Sequence, residues 1–285
     1  MNSHSGEPQP ATTTPLPRFL YGTAWKEENT RRLTELALAE GFRGIDTANQ
    51  RRHYHEAAVG EAIQAAIASG KLTRDDLFLQ SKYTFQGGQD HRLPYDPQAP
   101  IATQVVQSFA STLEHFGVAT LDSYLLHGPT VRKGLSAADW EAWGAIERLH
   151  QEGRTKYIGV SNVALDQLQL LCDKSTVAPH FVQNRCFAVQ RWDQKVRELC
   201  AARGILYQGF SLLTANAQLL MDRRVQEIAD RYGKTLGQIA FRFALDVGML
   251  PLTGTTSVEH MRADLNIFDF RLNADEIRLI ENLAG

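Results

Sequence analysis

The chain reads F-R-G-I-D at 42–46, E-A-A-V-G-E-A-I-Q-A-A-I-A-S at 56–69 and L-F-L-Q-S-K-Y at 77–83. Val59, Ile63 and Ile67 recur every fourth residue, which places them on one helical stripe, and Gly70 supplies the stop. The flanking runs are short and apolar, as strands are. Strand, helix and strand in that order form a crossover unit, the connection that parallel strands require.

The same unit recurs in both directions. Upstream, Phe19 to Thr23 is a short apolar run. A helix is predicted over 28–40 from Leu33, Leu36, Ala37 and Glu40, closed by Gly41. Downstream, a Pro/Gly-rich loop spans 84–100 and a helix runs to His115. D-S-Y-L-L (122–126) leads to His127, and a helix over 137–151 ends at Gly153. K-Y-I-G-V (156–160) leads to Ser161 and Asn162, with a short helix through Leu171. Phe181 and Val182 lead to Gln183, and a helix over 193–203 stops at Gly204. I-L-Y-Q-G-F (205–210) precedes helices over 222–232 and 235–247. Gly248 to Leu252 is the last strand, before helices at 257–264 and 274–283. About eight βα units in this length predict a (β/α)8 TIM barrel, an α/β fold with its site at the strands' C-terminal ends. The rival doubly wound sheet often carries G-x-G-x-x-G in its first turn, and that motif does not occur.

Composition narrows the function. The 285 residues are 43% hydrophobic and 22% charged, with a net charge of −2, enough to bury a core without a metal or disulfide staple. That charge argues against broad nucleic-acid binding. No apolar run reaches membrane-span length. Three cysteines, Cys172, Cys186 and Cys200, cannot all pair, which points to a reducing, cytoplasmic compartment. Cys186 is expected near the cofactor region, and the other two in helix packing. Residues 1–17 hold four prolines and several Ser/Thr, with no apolar core or basic cluster. They read as a flexible tail rather than a secretory signal, before a single domain over 18–285.

The predicted strand ends carry Asp46, Lys82, His127, Ser161, Asn162, Gln183, Phe210, Ser211 and Thr253 to Thr256. Asp46 and Lys82, on neighbouring strands, are placed to form a partly buried ion pair. A cation beside a phenol favours phenolate, and Tyr54 in the following loop is the available phenol. Tyr, Lys and His together can deliver a proton to a carbonyl oxygen. They cannot supply a hydride, so a cofactor is implied. The amides of Asn162 and Gln183, with an aromatic face at Phe210, suit a flat ring bearing a carboxamide, such as nicotinamide.

G-F-R-G-I-D-T-A (41–48), E-A-A-V-G-E-A-I (56–63), L-F-L-Q-S-K (77–82), D-S-Y-L-L-H-G-P (122–129), I-G-V-S-N (158–162), V-Q-N-R (182–185) and G-I-L-Y-Q-G-F-S (204–211) run in the order found in the aldo-keto reductase family. The chain resembles that family from about residue 20 to 270. The resemblance implies a barrel that binds NAD(P)H without a Rossmann motif and reduces aldehydes and ketones with an Asp–Tyr–Lys–His tetrad. It assigns Asp46, Lys82 and His127 to that tetrad. It implies that Ser161, Asn162 and Gln183 hold the carboxamide, that Phe210 takes the stacking place usually held by Tyr, and that Ser211 and Leu213 lie near the pyrophosphate. Gly22, Thr23 and Asp46 join the cofactor contacts on the same ground.

Two departures from the family pattern carry expectations of their own. The family's Tyr position, five residues after the Asp, is Arg51, and the loop N-Q-R-R-H-Y-H (49–55) holds two extra residues. Counting back from Glu56 puts His53 in the Tyr slot, with Tyr54 one later. Tyr54 is the favoured acid because a bulge can deliver its hydroxyl; His53 is the alternative donor. His53 and His55 have a spacing that suits a metal, yet no carboxylate or Cys partner is evident, so no metal is expected. In P-L-T-G-T-T-S-V-E-H-M-R-A-D-L (251–265), Gly254 and His260 replace the Lys and Arg of the family's 2′-phosphate site, and Asp264 falls where Asn is common. Thr255, Thr256 and a helix N-terminus remain for an anion, with Arg262 close by. NADPH is the expected cofactor, with NADH possible.

Trp25, His53, Phe85 and His127 are expected around the substrate, with Trp192 and Tyr83 as further apolar lining. The chain ends at Gly285, where many members carry a specificity loop, so a wide pocket is expected. The reading is a carbonyl reductase acting on a small molecule as a monomer or small homo-oligomer. The alternative is a cofactor-binding partner subunit with little turnover, which the displaced Tyr favours and the intact Asp46, Lys82 and His127 disfavour.

Overall fold

The computed structural model describes residues 16–284, so residues 1–15 of the expected tail lie outside the described residues. Eight parallel strands close into a barrel: β1 (Leu20–Gly22), β2 (Gly44–Asp46), β3 (Phe78–Tyr83), β4 (Leu121–Leu126), β5 (Thr155–Ser161), β6 (Phe181–Arg185), β7 (Leu206–Phe210) and β8 (Leu250–Thr253). Neighbours in sequence pair in register, and β8 returns to β1 through Leu252 beside Leu20 and Thr253 beside Tyr21. The helices are α1 (Thr30–Glu40), α2 (Glu56–Ala68), α3 (Ile101–Phe116), α4 (Ala137–Gln151), α5 (Leu165–Lys174), α6 (Gln194–Arg203), α7 (Ala217–Leu220), α8 (Arg223–Tyr232), α9 (Leu236–Asp246), α10 (Val258–Leu265) and α11 (Ala274–Glu281).

Local chemistry sets many helix ends. Ser136 and Asp139 form a capping box on α4, Thr235 and Gln238 on α9, and Asn273 and Glu276 on α11. Gly41 closes α1 at φ 111°, a backbone region that residues with a Cβ rarely enter.

Strand pleat sorts the side chains into two environments. On β3, Phe78, Gln80 and Lys82 face the barrel bore, while Leu79, Ser81 and Tyr83 face the helices. One end of the bore is apolar: Leu20, Phe78, Leu125, Phe181 and Leu250 pack together, with Tyr157, Leu206 and Leu252 against them. Further along the inward rows of β3, β6 and β7 the bore becomes polar through Gln80, Lys82, Gln183 and Gln208, and Ser123 of β4 joins them.

This parity corrects one expectation. Tyr83 is fully buried on the outward face, and its hydroxyl donates to Gln104 Oε1 in α3, so it packs the core and lines no pocket. Trp192 is a second correction. It is fully buried, donates Nε1–H to the Ile280 carbonyl in α11 and packs on Phe243.

Helices α2 and α3 touch at backbone level. A Cβ on Gly60 would lie 1.8 Å from the His115 carbonyl oxygen. Gly60→Ala is therefore expected to cost about 1–3 kcal/mol by forcing the helices apart. The check is a lower urea midpoint at unchanged slope; an unchanged midpoint would contradict this packing.

Candidate active site

Asp46 ends β2 and Lys82 lies near the end of β3, and both side chains point into the bore. Lys82 Nζ donates to Asp46 Oδ1 at 2.7 Å and to the Thr47 carbonyl at 2.8 Å. The side chains are 0% and 4% exposed, so the pair is a buried one. Burial pulls the Lys82 pKa down, and Asp46 opposes that pull. Asp46 Oδ1 also accepts from Gln80 Nε2 at 2.8 Å and from Gln183 Nε2 at 2.9 Å.

The inserted loop between β2 and α2 brings Tyr54 to this pair. Both His53 and Tyr54 donate backbone N–H to the Gln50 carbonyl, which folds the extra residues into a tight turn. The turn is fastened outside: Gln50 Nε2 donates to Gly88 O, Gln89 Nε2 to Asn49 O, and Arg92 Nη2 to Arg51 O. Below it, the buried carboxylate of Glu56 accepts from Ser81, Thr112 and His115. Lys82 Nζ sits 5.5 Å from the Tyr54 ring centre, and the ring meets His127 edge-on at 5.9 Å. His53 turns elsewhere and stacks on Trp25 at 4.0 Å.

The expected lowering of the phenol pKa is reversed. Burial, then the charge of Asp46, push Tyr54 well above the ordinary tyrosine value. Lys82 spends two of its donors on Asp46 and Thr47, and it makes no hydrogen bond to the phenol. Tyr54 is accordingly held protonated. His127 follows β4 on the inward row. Burial, then the nearby charge of Lys82, push its pKa down to about 3, so the imidazole is neutral. Its Nδ1 pairs with Thr84 Oγ1 at 2.6 Å, a partner that no motif announced.

The amides cluster beside this group. Ser161 Oγ donates to the Gln183 carbonyl at 2.7 Å, and Asn162 Nδ2 donates to the His127 carbonyl at 2.8 Å. Asn162 reaches that carbonyl from a left-handed backbone at φ 52°. Among the described residues nothing donates to Asn162 Oδ1 or Gln183 Oε1. Phe210 ends β7 half-buried on the inward row, with the Arg185 guanidinium 5.8 Å from its ring centre. Ser211 follows at φ 56°, and Leu213 is half-buried nearby in sequence. A Cβ on Gly22 would meet Leu252 at 2.6 Å, and Thr23 Oγ1 donates to the Asp46 carbonyl.

At the end of β8 the cations are arranged differently from the expectation. Arg262 is engaged with Glu40 in two hydrogen bonds, at 2.7 and 2.9 Å, so it is not free. His260 and Thr256 are exposed, Thr255 is half-buried, and Ser257 Oγ donates to Glu259. Asp264 is buried, accepts from Thr253 Oγ1, and is pushed up to about 6 by burial. A cation overlooked in the sequence takes the place near Gly254. Lys26 Nζ donates to the Gly254 carbonyl at 2.7 Å and lies 3.9 Å from where a Gly254 Cβ would be. Lys26 is 4% exposed, and burial lowers its pKa to about 8. Its signal was its place just after β1, in Y-G-T-A-W-K (21–26).

The remaining candidates divide. Trp25 is 68% exposed at the rim with His53, whereas Phe85 is half-buried against Tyr83. Cys186 follows β6 directly, donates its backbone N–H to the Phe210 carbonyl and is fully buried in the core, where burial pushes its thiol up to about 12. Cys200 is buried in α6, but Cys172 is only half-buried. Among the described residues no group of three His, Cys, Asp or Glu side chains comes together as a metal site, and no helix is long and apolar enough to cross a membrane.

The depressed His127 pKa has a consequence for stability. On acidification the unfolded chain takes up this proton near the ordinary value of 6.5, and the folded chain only near 3. Stability present above that ordinary value is therefore lost as pH falls through the window between the two. Thermal midpoints should drop more between pH 7.5 and pH 4.5 in the wild type than in His127→Gln. Equal drops would contradict a neutral His127 in the folded chain.

Comparison with known proteins agrees with this architecture. The model of the Aldo/keto reductase family matches residues 20–284. The chain is 30% identical over 270 residues to the uncharacterized oxidoreductase YtbE of Bacillus subtilis, spanning 94% of this chain and 89% of that protein. It is similar to the crystal structure of an aldo/keto reductase from Brucella melitensis, with a TM-score of 0.78 and 27% identity over 94% of this chain and 95% of that one. It is equally similar, at 0.78 and 25% identity over 94% and 89%, to a Bombyx mori aldo-keto reductase solved in complex with NADP. A closed parallel barrel with Asp46, Lys82, Tyr54 and His127 gathered at its mouth thus has a family, and the chain belongs to the aldo-keto reductases.

Proposed function

We propose that this protein reduces an aldehyde or ketone to the alcohol with NAD(P)H. One observation carries the reading: the protonated Tyr54 phenol stands beside the buried Lys82–Asp46 pair and the neutral His127 imidazole at the mouth of the bore. A bound nicotinamide supplies the hydride that no side chain can. Gln183, Asn162 and Ser161 would hold its carboxamide, and Phe210 would offer a face to the ring. Gln183 Oε1 and Asn162 Oδ1 are the acceptors that no described residue occupies, whereas Ser161 Oγ is already bonded to Asn162 Nδ2 and the Gln183 carbonyl.

The chain's own residues then handle the proton. Tyr54 O–H donates to the carbonyl oxygen, and burial keeps that proton in place until it is needed. Lys82, fixed by Asp46 and Thr47, lies close enough to stabilise the phenolate that remains. With Nδ1 accepting from Thr84 O–H, His127 presents Nε2–H to the carbonyl oxygen and orients it. Trp25, His53 and Phe85 border the substrate. The lowered pKa of His53, caused by burial and Arg52, and its stacking on Trp25 favour Tyr54 as the acid. Lys26, Ser211, Leu213, Thr255 and Thr256 are the residues that would hold the phosphates, with His260 and Asp264 assigned to the adenosine end.

NADPH is the first choice of cofactor. The Arg262–Glu40 pair and the acidic Glu259 favour a second reading in which NADH serves as well. NADPH should bind more tightly by no more than about tenfold, about 1.4 kcal/mol or one modest charged contact. Calorimetry with both cofactors decides this; tighter NADH binding, or a preference for NADPH clearly beyond about tenfold, would contradict it.

Tyr54→Phe should lower kcat by about 100-fold or more at unchanged cofactor affinity. His53→Gln should act mainly on KM, with kcat within about tenfold of wild type. The reverse pattern in steady-state kinetics on a panel of aldehydes would make His53 the acid. Tight cofactor binding with no turnover across the panel would return the chain to the partner-subunit reading.

A further inference from the structure

The polar layer of the bore holds three glutamines that form one directional network. Gln80, Gln208 and Ser123 are fully buried, and Gln183 is 3% exposed. Gln80 and Gln208 pair reciprocally: Gln80 Nε2 donates to Gln208 Oε1 at 2.7 Å, and Gln208 Nε2 donates to Gln80 Oε1 at 3.0 Å. Ser123 Oγ donates to Gln80 Oε1 at 2.8 Å. Gln183 Nε2 donates to Gln208 Oε1 and to Asp46 Oδ1, both at 2.9 Å.

An isolated amide can present either end, since its nitrogen and oxygen are nearly the same shape. This network removes the choice. Asp46 Oδ1 accepts from the Lys82 ammonium, so it carries no proton of its own. The amide ends facing it must then be the N–H2 groups of Gln80 and Gln183. Gln208 must turn its oxygen to both, which sends its nitrogen to Gln80 Oε1. Every donor on Gln183 is thereby consumed inside the bore, and Oε1 alone is left for a ligand. Asn162 is set in the same sense, because Nδ2 faces the His127 carbonyl, an obligate acceptor.

We propose that Gln80 and Gln208 are positioning residues that, with Asp46, lock Gln183 with its nitrogen inward and its oxygen toward the mouth. The site then takes a ring amide through its N–H2 group and discriminates against rings lacking that donor. The inference rests on the nicotinamide reading of the site. It adds that the selectivity is set one layer below the cofactor, by residues that never touch it.

The test uses NADPH and its 3-acetylpyridine analogue, in which a methyl replaces the N–H2. Affinities for the full-length wild type, Gln208→Met, Gln80→Met and Gln208→Glu are measured by calorimetry, with folding verified by circular dichroism. The wild type should favour NADPH by about fivefold or more, the worth of one hydrogen bond. Gln208→Met and Gln80→Met remove or unfix the second acceptor of Gln183 Nε2 and leave Asp46 alone to hold it. The preference should therefore fall to about half the wild-type ratio or less, through weaker NADPH binding and nearly unchanged analogue binding. In Gln208→Glu a carboxyl kept protonated beside Asp46 offers one acceptor and one O–H, and the wild-type preference should persist. A wild-type preference in whichever methionine variant folds overturns the inference. If the wild type binds neither NADPH nor NADH, the nicotinamide reading itself fails and takes the inference with it.

Discussion

One oxygen atom organises this site. Asp46 Oδ1 accepts from Lys82, Gln80 and Gln183, which ties strands β2, β3 and β6 together at one level of the bore. A carboxylate this buried is tolerable because Oδ1 is paired with an ammonium and accepts two amide hydrogen bonds besides. Removing either member of the Asp46–Lys82 pair would leave an uncompensated charge, at a cost of about 3–5 kcal/mol. The same contact fixes the ammonium under the Tyr54 ring and sets the direction of every amide around it. Structural order and chemical readiness at the mouth thus have one origin.

The layering of the bore makes that arrangement possible. Leu20, Phe78, Leu125, Phe181 and Leu250 fill one end with apolar packing that excludes water. The next inward positions on β3, β6 and β7 carry Gln80, Gln183 and Gln208, joined by Ser123 of β4, and their polar groups satisfy one another. A partly satisfied version of this layer would be costlier than an apolar one. Outside the barrel, a second buried carboxylate, Glu56, anchors the loop that delivers Tyr54. The extra residues in that loop are absorbed by its turn onto Gln50, so the phenol still reaches Lys82 and His127 despite its shifted position in the chain.

Much of this was legible in the amino acids. Period-four apolar stripes and glycine stops located the helices, and polar residues after short apolar runs located Asp46, Lys82, His127, Asn162 and Gln183. These features are local, which is why a linear reading reaches them. Strand pleat decided what that reading could not. Tyr83 falls on an outward row, one residue away from an inward one, Cys186 follows β6 into the core, and Trp192 is drawn into the core beneath α11. Lys26 escaped notice because its partner, Gly254, is far away in sequence and close only after β1 and β8 close the barrel. The direction of the Tyr54 shift was missed for a similar reason. Proximity to Lys82 was foreseen, whereas the engagement of that ammonium by Asp46 and Thr47 depends on side-chain geometry. Arg262 likewise reads as a free cation until α10 packs on α1 and Glu40 claims it.

The central proposal is that a nicotinamide held at this constellation would pass its hydride to a carbonyl carbon while the side chains handle the proton. It is tested most directly by incubating the protein with an aromatic aldehyde panel and NADPH dideuterated at the nicotinamide C4, followed by mass and NMR analysis of the products. The account predicts one deuterium on the carbinol carbon of the product alcohol, with one cofactor oxidised per alcohol formed. Alcohol formed without deuterium at that carbon would contradict it.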